Sequence, residues 1–229
     1  MSRRPPEIDA KLRRILSQKN ARGGEFCLPA PSAPDQTSVA AFKPYDIRHD
    51  FPGYKKYALE IGCGWGEFTR ATAAAEPQTF FVAIEKKLAR VIASGREQQT
   101  SGIGNIRYLV LDVTWFFDGI FAAQSFDSIT INFPDPWPKA RHHKHRFVSD
   151  ALAAELRRIA ASGATLTFAT DDYVYTREAM QVFESSAAWK NRNGSFTALD
   201  HIDGRAVSYF EQVHRAEGAP IYFLEYTTR

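Results

Sequence analysis

The chain has 229 residues, 44% of them hydrophobic and 24% charged, with a formal net charge of +3. These values describe one ordinary globular core with room for a small extension, and they leave any nucleic-acid footprint to local clustering of charge. Two cysteines, Cys27 and Cys63, argue against a disulfide framework and for a reducing, cytoplasmic setting, and neither a membrane-length apolar run nor a secretory signal is visible.

The first twenty residues are basic, and Ile8, Leu12, Ile15 and Leu16 carry helical spacing. The opening arginines fit a solvated tail or an arm that touches an anionic partner. Residues 21–44 are rich in proline, glycine and small side chains and read as loop or linker. Residues 1–44 are therefore expected to form a partly mobile arm, and 45–229 the folded domain. From Tyr57 strands and helices alternate. YALEI (57–61) reads as a buried strand, EFTRATAAA (67–75) as a helix and TFFVAIE (79–85) as a second strand. KKLARVIASGREQQ (86–99) reads as helix, IRYLVLD (106–112) and FDSITINF (126–133) as strands. HRFVSDALAAELRRIA (145–160) predicts an amphipathic helix ending near Gly163. ATLTFAT (164–170) follows as a strand, YTREAMQVFESSAAW (175–189) as a helix and IYFLEYTT (221–228) as the last strand. This alternation predicts an α/β chain with a mainly parallel sheet.

LEIGCGWGEF (59–68) sets Gly62, Gly64 and Gly66 between the first strand and its helix, where an α/β sheet binds a nucleotide-like cofactor. The G-x-G-x-G spacing is neither the dinucleotide fingerprint nor a P-loop. Glu85 closes the second strand, where a carboxylate can accept both hydroxyls of a ribose. Asp112 closes the third, near an adenine edge. Glu60, just before the glycines, is placed to meet an amino group directly or through water. Helix capping or loop solvation would also account for Glu85 and Asp112, but the set together fits S-adenosylmethionine, an adenosine with a zwitterionic amino-acid tail.

NFPDPWPKARHHKHR (132–146) is the second unusual stretch. Pro134, Pro136 and Pro138 restrict the backbone around Asp135 and Trp137. Trp137 could wall a pocket, stack on a base or simply pack in the core. Lys139, Arg141, Lys144 and Arg146 would form a basic patch suited to RNA phosphates, or a solvated helix start. His142, His143 and His145 match no common zinc spacing, so no metal is expected.

The proline stretch resembles the F-P-D-P-W-x-K-x-R-H-x-K-R-R signature of the bacterial tRNA (guanine-N7-)-methyltransferases. LEIGCGWG (59–66) resembles their cofactor loop, ATD (169–171) with Tyr175 a third motif, and FEQVHRAEGAPIYFLEY (210–226) their C-terminal pattern. Ser208 stands where the family has threonine. The resemblance implies the Rossmann-like class I methyltransferase fold, a mostly parallel seven-stranded sheet with helices on both faces. It implies that Glu60, Glu85 and Asp112 contact S-adenosylmethionine and that Asp135 is the active-site carboxylate. Lys139, Asp171 and the segment Ser208, Tyr209, Phe210 and Glu211 would contact tRNA. For Asp171, an N-cap role on the helix near Tyr175 is the competing reading. Two other functions fit parts of the sequence: N-methylation of a small purine-like heterocycle, or a non-catalytic RNA-binding module. Monomer and homodimer are both compatible with the sequence.

Overall fold

The computed structural model describes residues 24–28, 44–113, 117, 119–135 and 147–229. The helix expected in residues 1–20 lies outside them. So do Trp137, Lys139, Arg141, Lys144, Arg146, the three histidines between 142 and 145, and Pro136 and Pro138.

In chain order the main elements are β1 (Lys56–Ile61), α1 (Glu67–Ala75), β2 (Thr79–Glu85), α2 (Leu88–Thr100), β3 (Ile106–Val110) and β4 (Phe126–Asn132). They continue with α3 (Asp150–Ile159), β5 (Ala160–Thr170), α4 (Tyr173–Ser185), β6 (Trp189–Asn191), α5 (Tyr209–Ala216) and β7 (Tyr222–Thr228). The seven strands form one sheet in the order β3-β2-β1-β4-β5-β7-β6, with β7 antiparallel to both its neighbours. β1 to β5 pair in parallel, as the strand–helix alternation predicts.

Side-chain alternation along the strands divides the interior into two layers. Leu59, Ile61, Phe80, Val82, Ile84, Ile129 and Ile131 join Leu152, Leu156, Met180 and Phe183 of α3 and α4 on one face. Ala58, Phe81 and Ala83 face the other way, toward Ala73 of α1 and Val91 of α2. With helices on both faces, β2 has all seven residues buried, which is why its centre, FFVAI (80–84), is an unbroken apolar run.

Three expectations change. The helix predicted over 145–160 begins at Asp150, because the Ser149 hydroxyl accepts from Leu152 N at 3.2 Å and caps it. It ends at Ile159, and β5 starts at once at Ala160. Gly163, at φ 74°, belongs to an irregular stretch between the Ala160 and Thr165 pairings with β4, so it marks a bulge in the strand, not the helix end. The helix predicted to reach Trp189 stops at Ser185. Trp189 turns inward as the first residue of β6, fully buried, with its indole N–H donating to Ala153 O at 3.1 Å.

Within the 21–44 stretch, Gly24–Leu28 is docked on the sheet. Cys27 bridges Tyr108 in parallel fashion, and Leu28 N donates to Tyr108 O at 2.8 Å, which covers the β3 edge. Phe26 lies on Gly95 of α2 so closely that an added Cβ would stand 2.4 Å from its ring. Gly95→Ala is therefore expected to lever this segment off, an overpacking cost of roughly 1–3 kcal/mol that appears as about tenfold or faster alkylation of the buried Cys27 thiol. Wild-type alkylation kinetics would contradict that packing account.

Candidate active site

β1 pairs with β2 on one side and β4 on the other, so the strand order reverses between β1 and β4. A crevice at such a switch point is where open α/β sheets bind ligands. Here Glu60, Gly62, Cys63, Gly64, Trp65, Phe68, Arg90, Asn132, Ser208, Tyr209 and Phe210 are among the residues lining a cleft of about 460 Å³, counting its open mouth. Of the residues singled out in the sequence, Glu60, Gly62, Gly64, Ser208, Tyr209 and Phe210 meet at this cleft.

The glycine loop is shaped by positive backbone angles. Gly62 and Gly64 have φ 81° and 60°, and an added Cβ at either meets nothing within 4 Å, so their backbone is open for a ligand to approach. Gly62 N and Cys63 N both donate to Ile84 O, at 2.8 and 2.9 Å, tying the loop to the end of β2. Gly66, φ 72°, has a different task. It starts α1 in the left-handed region and packs closely, since a Cβ there would stand 3.1 Å from Arg70, Ser94 and Tyr108 side-chain atoms.

Glu60 is buried at the floor of the cleft. One carboxylate oxygen accepts from the Thr69 hydroxyl, and the other accepts from Asn132 Nδ2 at 3.0 Å. Burial pushes its pKa up, while these two donors and the Arg205 charge pull it down. Cys63 is a neutral thiol: burial, then the neighbouring Glu60 and Glu85, holds its pKa well above the ordinary value, so it is no nucleophile. Glu85 is buried, with one oxygen accepting from Lys87 N at 2.8 Å and the other 3.5 Å from Arg90 Nη1. Arg90 lies over the exposed Trp65 ring at 5.6 Å, which connects Glu85 to the cleft wall. Asp112 follows the C-terminal end of β3, half-buried, in line with Glu85 at the end of β2.

Asp135 lies on the loop that follows β4, outside the residues that line the cleft. Its side chain is 72% exposed, and Oδ2 is 3.5 Å from Lys86 Nζ at the end of β2. The loop that carries it leaves β4 through Phe133, whose φ of 47° is costly for a bulky residue. Phe133 is held there by donating its N–H to Ala169 O at 2.8 Å and by stacking on His214 at 5.5 Å. Beyond the loop, the buried Tyr175 hydroxyl accepts from Phe147 N at 3.1 Å and Val148 N at 3.2 Å. The third motif thus anchors the second motif's return.

Asp171 is not the N-cap of α4. Asp172 is, accepting from Tyr175 N at 2.8 Å, and this leaves Asp171 facing His214 Nδ1 at 3.6 Å. Ser208 caps α5, its hydroxyl accepting from Glu211 N at 3.3 Å, which explains why a hydroxyl residue suffices there. Glu211 is buried and its carboxylate is taken by two arginines, Arg205 Nη1 at 2.7 Å and Arg215 Nε and Nη2 at 3.1 and 3.0 Å. Thr69, Asn132, Arg205 and His214 were not singled out in the sequence. Asn132 stood inside a quoted motif. Ser208 and Glu211 spell S-x-x-E, a helix-start signature that could have revealed α5.

The cleft suits S-adenosylmethionine. Its open glycine floor admits backbone approach, and Glu60 offers carboxylate lone pairs to an ammonium. Residues 54–224 match the family model described as "Putative methyltransferase". A tRNA (guanine-N(7)-)-methyltransferase of Leptospira interrogans is 34% identical over 172 residues, covering 75% of this chain and 78% of that protein. Its counterpart in Geobacter metallireducens is 32% identical over 193 residues, covering 84% and 90%. Among solved structures, the 16S rRNA methyltransferase KamB is similar with a TM-score of 0.57 at 13% identity, over 76% of this chain and 88% of that one. The aminoglycoside resistance methyltransferase NpmB1 gives 0.55 at 16%, over 82% and 95%. At such identities the two structures speak for the fold alone. The switch-point cleft, the glycine loop and these relatives together assign the chain to the tRNA (guanine-N7-)-methyltransferase family of class I S-adenosylmethionine-dependent methyltransferases.

Proposed function

We propose that this chain methylates N7 of a guanine in tRNA. The observation that carries the reading is the glycine-floored cleft with Glu60 at its base, and we assign the exposed carboxylate of Asp135, on the proline loop after β4, to the acceptor side of that cleft. Glu60 would take the ammonium of S-adenosylmethionine, Glu85 the ribose hydroxyls and Asp112 the adenine edge. The cofactor supplies an electrophilic methyl, whose bond electrons return to sulfur on transfer. Guanine N7 attacks with its own lone pair and carries no proton, so no strong general base is needed. The chain's contribution is in-line placement and stabilisation of the positive charge that develops on the purine. Asp135 faces that charge or holds the base by its N–H edge. Trp65, Tyr209 and Phe210, all exposed at the cleft, offer ring faces to a base brought out of its stack. Asp171 would contact the same nucleotide, and Lys139, Arg141, Lys144 and Arg146 would meet tRNA phosphates. We place the protein in the cytoplasm. Its two cysteines are free, and among the described residues no helix is long and apolar enough to cross a membrane.

Incubation with methyl-labelled cofactor and either unmodified tRNA or free guanine and guanosine, followed by nucleoside analysis, tests the reading. Label is expected in 7-methylguanosine from tRNA alone. Turnover of the free heterocycles without tRNA would favour the small-molecule reading, and label on another nucleoside would overturn the N7 assignment.

A further inference from the structure

Arg205 lies in the segment that precedes α5, at a position none of the recognised motifs includes. Its side chain is 10% exposed and sits between two rings, 4.6 Å from the centre of Phe68 on α1 and 5.0 Å from that of Phe223 on β7. Nη1 donates to Glu211 at 2.7 Å and to Ala206 O at 3.2 Å, and Nη2 donates to Asn132 Oδ1. A guanidinium has donors and no acceptor, so the amide of Asn132 has one possible orientation here. Its oxygen must face Arg205, and its NH2 must therefore face Glu60, where it donates at 3.0 Å. With the Thr69 hydroxyl on the other oxygen, Glu60 is held as an acceptor on both sides, and the residue lines the cleft.

We propose that Arg205 is a positioning residue for cofactor capture: through Asn132 it fixes the Glu60 carboxylate in its accepting orientation toward the amino group of the cofactor. The inference rests on the reading of Glu60 as a cofactor contact. Two charged groups act on Glu60 from the elements around it, and two protonatable groups feel it in turn. Glu67 of α1 raises its pKa, Arg205 lowers it, and it interacts in turn with the protonatable Cys63 of the glycine loop and Tyr108 of β3. Arg205 is the cation of that set acting on a carboxylate that burial already drives toward its neutral form. Without Arg205 the carboxylate should protonate at a higher pH. A neutral Glu60 binds an ammonium poorly, so affinity should fall as pH drops and recover as it rises.

The test is calorimetric binding of S-adenosylhomocysteine, which carries the same amino-acid tail, to the full chain at several pH values. Arg205→Met is expected to bind about tenfold more weakly than wild type near about pH 6, the ratio narrowing to about threefold near about pH 8.5. Arg205→Lys, which restores the charge, should recover most of the affinity at the lower pH. Asn132→Ala cuts the relay at its centre while leaving Arg205 paired with Glu211, and should show the same pH-dependent weakening even if Arg205→Met folds poorly. A loss that is equal at every pH in both variants, or wild-type affinity in both, overturns the inference. Glu60→Gln separates the two layers. If Glu60→Gln binds weakly while Arg205→Met and Asn132→Ala bind like wild type, only the inference fails. If Glu60→Gln binds like wild type, the cofactor role of Glu60 fails and takes the inference with it.

Discussion

Asp135→Asn is expected to slow methyl transfer to tRNA by about 10²–10³-fold, the scale of losing one preorganised electrostatic partner of a developing charge. The fold should hardly notice. Asp135 is 72% exposed and its Lys86 partner 50% exposed, and an ion pair so open to water contributes little to stability. Thermal unfolding should therefore stay within about 2 °C of wild type, since exposed substitutions of this kind change stability by about half a kcal/mol or less. A single-turnover rate with labelled cofactor and an unmodified tRNA transcript measures the first effect. Wild-type turnover would remove Asp135 from the chemistry. Two roles for the carboxylate make different predictions when the acceptor guanosine is replaced by inosine, which lacks the 2-amino group. If Asp135 holds the base by that N–H edge, the losses from Asp135→Asn and from inosine overlap and fall short of additive. If it stabilises charge on the ring, they are independent and add.

The legible parts of this fold are those whose burial is periodic along the chain. α1 spans Glu67–Ala75 as the sequence pattern marks it, and β2 spans Thr79–Glu85, because an apolar run closed by glycine or charge has few alternatives. What the pattern hides is decided across the chain. SSAAW continues a helical composition, yet Trp189 leaves the helix because Phe183, Tyr226 and the Ala153 carbonyl already form its pocket. The active site divides in the same way. Glycines and strand-end acids are visible because residue type and position suffice to suggest a cofactor. Arg205, in the polar stretch HIDGRAVS, reads as a solvated cation, and only the folded chain sets it between Phe68 and Phe223. Asn132 looks like the last residue of a strand until Glu60 is found paired beside it. His214 likewise acquires meaning from Asp171 and Phe133, which lie far from it in sequence.

Glu211→Ala is expected to be the most destabilising single change in the C-terminal segment. The family resemblance makes this residue a substrate contact, but its carboxylate is 6% exposed and paired with two arginines. Truncation would leave Arg205 buried between aromatic rings without its counter-charge. Burial already lowers the Arg205 pKa, and Glu211 is the leading influence that opposes this. Removing one partner of a buried pair costs roughly 3–5 kcal/mol, which for a chain of this size corresponds to a fall in Tm of about 6–20 °C. Glu211→Gln keeps an acceptor oxygen for one arginine and should lose less. The consequence for function follows from position. Ser208, Tyr209 and Phe210 line the cleft from the first turn of the helix that Glu211 pins to Arg205. A melt combined with steady-state kinetics at a temperature below both transitions separates the two roles. A structural anchor predicts a lowered Tm together with weaker binding of both cofactor and tRNA. A residue that only touches substrate predicts an unchanged Tm and a raised KM for tRNA alone. That second result would mean that the arginine pair is released when tRNA binds, and that Glu211 swings from Arg205 and Arg215 to the nucleotide.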